Sequence, residues 1–176
     1  MNLFQEWRIA ATSGGFIPAH DNGHLLSGYD FTGSTVGYAG VSAMCNTARS
    51  DGITMARKTS SIGAIATIMG HEVGHNFGMS HTDSANSAKG VPSACPSPTP
   101  HVMDPSTSSN YATVWTVCSQ QYLKYYIEQY VTLYLKYHVL FILSRCTRID
   151  VPRCGIGAAI VSCTRVAYTH RVSTLT

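Results

Sequence analysis

The sequence predicts an α+β fold: a few short strands, a helix in the middle of the chain and a second helix towards its end. Three observations carry this. The chain has 176 residues and is 44 % hydrophobic, which supplies a core and excludes a disordered chain. Its first part holds short apolar runs separated by turn signals at Asp21-Asn22-Gly23, Thr32-Gly33-Ser34 and Asp51-Gly52. Two longer runs, near 62–77 and 119–137, have helical length and composition.

The elements follow in order. In the segment from Leu3 to Ile9, Leu3, Phe4 and Trp7 fall at helical spacing, as at the end of a helix. His24 to Ser27 is a short strand candidate. Val36 to Val41 is another, rich in small residues and therefore suited to a sheet edge, and Gly52 to Ala56 is a third, weaker one. Ser60 and Ser61 stand where a helix cap belongs, ahead of a run from Ile62 to about Phe77. Its apolar residues Ile62, Ile65, Ile68 and Met69 recur at three and four, and Gly78 is a natural stop. From Ser80 to Asn110 the chain is loop, with Pro92, Pro96, Pro98, Pro100 and Pro105; a helix from Ser119 to about Tyr137 follows. Composition changes near Tyr130, so residues 1–130 read as one domain and 131–176 as an unassigned tail.

Composition excludes several functions. Net charge is +3, and the twelve Lys and Arg are scattered, which argues against a nucleic-acid groove or a polybasic membrane patch. The most apolar run, 131–143, is short and carries Lys136 and His138, so no transmembrane segment is expected. Met1 to Arg8 lacks the apolar stretch of a signal peptide. Six cysteines (Cys45, Cys95, Cys118, Cys146, Cys154, Cys163) include no CxxC pair, against zinc fingers and thioredoxin-type redox motifs.

The segment that carries chemistry runs from His71 to His81 and fits HExxHxxGxxH at every fixed position, with a chance frequency on the order of one in 100,000. His71 and His75, four apart on a helix, share a face and can grip one ion. Zinc takes neutral imidazole nitrogens in a tetrahedral site. A third ligand further along a straight helix would point away, but Gly78 can adopt positive φ, turn the chain and let His81 swing back. Three ligands leave a fourth position for water, the mark of a catalytic site. Glu72, between the two helical histidines, is then the natural general base. The alternative third ligand is a downstream Glu; Glu128 is the only one, and His81 is the better candidate.

These residues give the chain its resemblance to the metzincin zinc proteases, within them to the adamalysin or reprolysin family, the catalytic domains of the ADAM and ADAMTS proteases. Three further stretches carry it. His20-Asp21-Asn22-Gly23-His24-Leu25-Leu26-Ser27-Gly28, continuing through Gly33-Ser34-Thr35-Val36-Gly37 to Ala43-Met44-Cys45, resembles the family's HDNAxLLTG…GSTVGLA…TMC. Val102-Met103-Asp104-Pro105 looks like the Met-turn, whose methionine lies beneath the zinc. Trp115-Thr116-Val117-Cys118-Ser119 resembles the segment before the last helix, and its Trp leans towards the ADAMTS side. The resemblance implies a metzincin-like fold with a mixed sheet, an active-site helix, a Met-turn and a C-terminal helix. It implies one catalytic zinc, protein or peptide substrates outside the cell, a secreted or extracellular location, and a disulfide between Cys95 and Cys118.

The sequence departs from that pattern in places. The resemblance covers roughly residues 3 to 130, and about the first third of the family domain, with two strands of its sheet, has no counterpart; the chain reads as a fragment or truncated product, in which a strand near Leu25 becomes an exposed edge. The family usually has Asp directly after the third His, whereas Thr82 intervenes here before Asp83. His101-Val102-Met103 stands for the family's Cys-Ile-Met. Cys45 matches a cysteine that pairs beyond the last helix, for which Cys146 is the nearest candidate. Asp21 matches a calcium ligand whose partners lie in regions without counterpart here, so calcium is not expected. The function expected is a zinc metalloendopeptidase using a Glu72-assisted water; the alternative is a zinc-binding remnant without turnover, acting at most as an interaction module.

Overall fold

A computed structural model describes residues 2–56, 61–96, 99–106 and 111–131. Helix α1 spans Asn2–Ser13, strands β1, β2 and β3 span Gly23–Ser27, Gly37–Ala39 and Asp51–Met55, and helices α2 and α3 span Ile62–Asn76 and Val117–Tyr126. A 3-10 turn, Ser87–Lys89, interrupts the long loop, and a π-helical turn, Ile127–Val131, continues α3. The remainder of the helix expected to Tyr137, the tail from 132, and Cys146, Cys154 and Cys163 lie outside the described residues.

The sheet has the order β1-β3-β2, with β1 parallel and β2 antiparallel to β3. The strand of weakest sequence signal is therefore the central one. Asp51, Gly52, Thr54 and Met55 of β3 are buried because β3 is paired on both sides and α2 packs against it. Alternation is lost when both faces are covered, which is why its pattern is faint. β2 is an edge, as its small residues imply. β1 is the other edge, and it leaves Leu25 and Leu26 exposed.

Helix α1 forms over the segment where helical spacing predicts it. It runs on to Ser13, and Leu3 and Trp7 face solvent, while Arg8 and Ala11 are buried. Arg8 turns inward because Asp51, fully buried at the start of β3, meets it at 3.3 Å, and Thr47 O accepts a second bond at 3.1 Å. Paired charge, not apolar spacing, thus sets the helix rotation.

Helix α2 begins where the cap predicts: Ser61 Oγ accepts from Ala64 N at 3.1 Å. Ile68 is buried, Ile62 and Met69 are exposed, and the inward face continues through Glu72, Gly74 and Asn76. The helix stops at Gly78, whose φ of 77° lets Met79 N donate back to Gly74 O. An apolar cluster gathers Met79, Val91, Met103, Cys118 and Tyr122 between the loop and α3. The Cys95–Cys118 disulfide ties that loop to α3. Cys45 is also disulfide-bonded.

Candidate metal centre

The sheet and the loop cluster meet on α2, and the three histidines converge there. His71 and His75 project from one side of α2, and His81 arrives after the turn at Gly78. One nitrogen from each lies within 4.8 Å of the others. His71 Nε2 and His81 Nε2 are 3.2 Å apart. A tetrahedral cation with bonds of about 2.0–2.1 Å would hold its ligands about 3.3 Å apart, so the spacing fits one zinc-sized ion.

The outer nitrogens decide which tautomer faces inward. His71 Nδ1 lies 2.7 Å from Val102 O, and His75 Nδ1 lies 2.9 Å from Met79 O. A carbonyl only accepts, so both rings donate from Nδ1 and present a lone pair at Nε2. Burial holds His71 far below the ordinary imidazole range, at about 4, with His75 and His81 adding to the effect against the bond to Val102. Burial lowers His75 as well. His71 and His75 are therefore neutral at physiological pH, the form a cation needs.

Glu72 is only 5 % exposed, and its carboxylate packs against β2 so closely that a Cβ on Gly37 would overlap it. Burial pushes this carboxyl up to about 7. Met103 is fully buried beneath the helix, with its Sδ 2.5 Å from where a Cβ on Gly74 would lie. Gly74 thus lets the sulfur approach the backbone one residue before His75. Glu128 is exposed, 3.8 Å from Lys124, and stands outside the histidine group. Among the described residues, no helix is long and apolar enough to cross a membrane.

Sequence reasoning missed the polar groups that support the site. Asn76, fully buried, donates to Gly40 O at 2.8 Å and Asp51 O at 3.1 Å, and accepts from Asn22 Nδ2 at 2.6 Å. It thereby fastens α2 to the sheet. Thr82 Oγ1 donates to Asp104 Oδ1 at 2.7 Å, fastening the segment after His81 to the Met103 loop. Both are long-range pairings with no periodic signal; only the unexpected Thr after the third histidine drew attention to one of them.

Comparison with known proteins agrees with this geometry. Residues 1–136 match the Reprolysin (M12B) family zinc metalloprotease profile. Disintegrin and metalloproteinase domain-containing protein 19 of Mus musculus is 37 % identical over 112 residues, 62 % of this chain and 11 % of the relative. Protein 12 of the same name and organism is 35 % identical over 135 residues, 73 % of this chain and 14 % of the relative. The zinc metalloproteinase recombinant fibrinogenase II of Deinagkistrodon acutus is 36 % identical over 122 residues, 68 % of this chain and 46 % of the relative. The matched stretch therefore spans a small part of the first two proteins and less than half of the third.

Proposed function

The chain belongs to the reprolysin (M12B) family of zinc metalloproteases, and on that premise we propose that it hydrolyses internal peptide bonds of extracellular proteins. In this reading residues 1–130 form the protease unit, His71, His75 and His81 hold one catalytic zinc, and Met103 supports them from beneath. When bound, zinc lowers the pKa of a coordinated water and polarises the scissile carbonyl. Glu72 takes the proton of the attacking water and returns it to the leaving amine nitrogen. Burial raises the proton affinity of this carboxyl in the metal-free chain. Among the described residues β2 is an edge of the sheet beside Glu72, so an extended substrate adding to it as a further strand would bring its main-chain carbonyl towards that carboxylate. The Cys95–Cys118 disulfide supports an oxidising, extracellular setting.

The observation that carries the reading is the convergence of three imidazoles, two of them on the α2 helix that also carries the buried Glu72. The test is cleavage of a generic protein substrate by the zinc-loaded chain. Glu72→Ala should lower turnover roughly 10²–10⁴-fold with zinc content unchanged, and His81→Ala should lose zinc. Normal turnover by Glu72→Ala would remove the role given to Glu72. A zinc-binding module without turnover is the second reading, favoured by a described sheet of only three strands with Leu25 and Leu26 exposed on β1. That reading predicts stoichiometric zinc and no chelator-sensitive cleavage.

A further inference from the structure

We propose that Thr82 is a positioning residue for His81: with Asp104 it forms a clasp that fixes the third imidazole and so sets the cation affinity of the three-histidine site. The inference rests on the reading of those histidines as metal ligands. It begins from an asymmetry among them. His71 and His75 belong to one helix, and each anchors its Nδ1 on a carbonyl. His81 lies beyond the Gly78 turn, and among the described residues no group takes its Nδ1. Its ring meets each of the other two imidazoles at 5.0 Å between centroids, and its placement depends also on the backbone that carries it.

That backbone is held at Thr82. The Thr82 N–H donates to Met103 O at 2.9 Å, and Thr82 O accepts from Cys95 N at 2.7 Å, beside the disulfide. The hydroxyl adds the bond to Asp104 Oδ1, and the residue is 4 % exposed. Asp104 is itself fixed: its other oxygen accepts from His101 N at 2.8 Å, and its N–H donates to His101 O at 3.1 Å. A charged acceptor makes the Thr82 bond one of the stronger kind. The short loop 101–104 therefore holds His71 directly, through Val102 O, and His81 through Thr82. Both ends of the ligand set share one frame.

The chemistry of the pair is reciprocal. Thr offers a donor, and Asp104 offers the acceptor. The Asp that the family resemblance implies after the third histidine would face Asp104 as a second carboxylate. In this chain the donor and the acceptor occupy opposite sides of the same contact, so Thr82 and Asp104 answer each other.

The test is zinc titration of the purified chain against a competing chelating indicator, with thermal melting of the metal-free proteins alongside. Thr82→Val keeps the shape and removes the donor; it should weaken zinc binding roughly 10–100-fold, the usual effect of losing a partner that orients a ligand. Asp104→Ala should do the same, and the double variant should be no weaker than the weaker single one. Thr82→Ser, which restores the hydroxyl, should recover most of the affinity. Should Thr82→Val fail to fold, Asp104→Ala carries the same reading. Zinc binding by Thr82→Val or Asp104→Ala equal to that of the unaltered chain overturns the proposal, as does Thr82→Ser binding no better than Thr82→Val. An unaltered chain that binds no zinc overturns the metal-site reading as well, so the two failures are distinguishable.

Discussion

Replacing Glu72 by glutamine measures what it costs to keep a carboxyl inside the centre. Glu72 is 5 % exposed, and burial raises it from the ordinary 4.5 to about 7. In the folded, metal-free chain it stays protonated up to about pH 7, whereas in the unfolded chain it ionises above about 4.5. Across that window the folded state holds more protons, so stability falls as pH rises. At roughly 1.36 kcal/mol per pH unit, the full effect is about 3 kcal/mol, most of it spent between pH 5 and pH 8. Glutamine cannot ionise and is spared the loss. His71 and His75 work in the opposite sense: their lowered affinity for protons costs stability as pH falls below the ordinary imidazole value. Both variants share that term, so it cancels in the comparison. The assay is urea unfolding with chelator present, at pH 5 and pH 8, for the unaltered chain and Glu72→Gln. The unaltered chain should lose roughly 2–3 kcal/mol more than the variant between the two conditions. If the two proteins track each other within extrapolation error, the carboxyl is not buried as described.

Two further substitutions test the packing beneath the site. Gly74→Ala should destabilise the protein although alanine favours helix by about 1 kcal/mol. The new Cβ would sit 2.5 Å from Met103 Sδ and 3.3 Å from Met79 Sδ, where both side chains are buried, and overpacking of this kind costs roughly 1–3 kcal/mol. A higher melting temperature for Gly74→Ala would show that the methionine is not pressed against the helix. Asn76→Ala should cost about 2–3 kcal/mol in urea unfolding, because it removes the amide donated to the half-buried Gly40 carbonyl and the buried Asp51 carbonyl; a cost near zero would mean that the network contributes nothing.

The local features were legible because their causes are local. The Ser61 cap, the helical pair His71 and His75, and the positive-φ stop at Gly78 depend on residues within one or two turns of each other. The family motifs likewise pointed to the group of three histidines and to the Cys95–Cys118 bond. Helix α1 was legible as a helix, but the face it buries was not, because the burial of Arg8 is decided by Asp51, more than forty residues away. β3 looked weak because a central strand buried on both faces carries no alternation.

By itself the sequence determined which side chains could meet a cation and on what helical spacing, since a 3.6-residue repeat and a glycine turn are properties of short segments. Only the tertiary structure decided how those side chains are held. The lone pairs of His71 and His75 face inward because Val102 and Met79 carbonyls take their other nitrogens. The Glu72 carboxyl is pushed up to about 7 by burial where α2 packs against β2. Thr82 finds Asp104 only because the 101–104 loop folds back beneath the helix. Such contacts join residues that are distant along the chain, and no periodicity records which donor will face which acceptor.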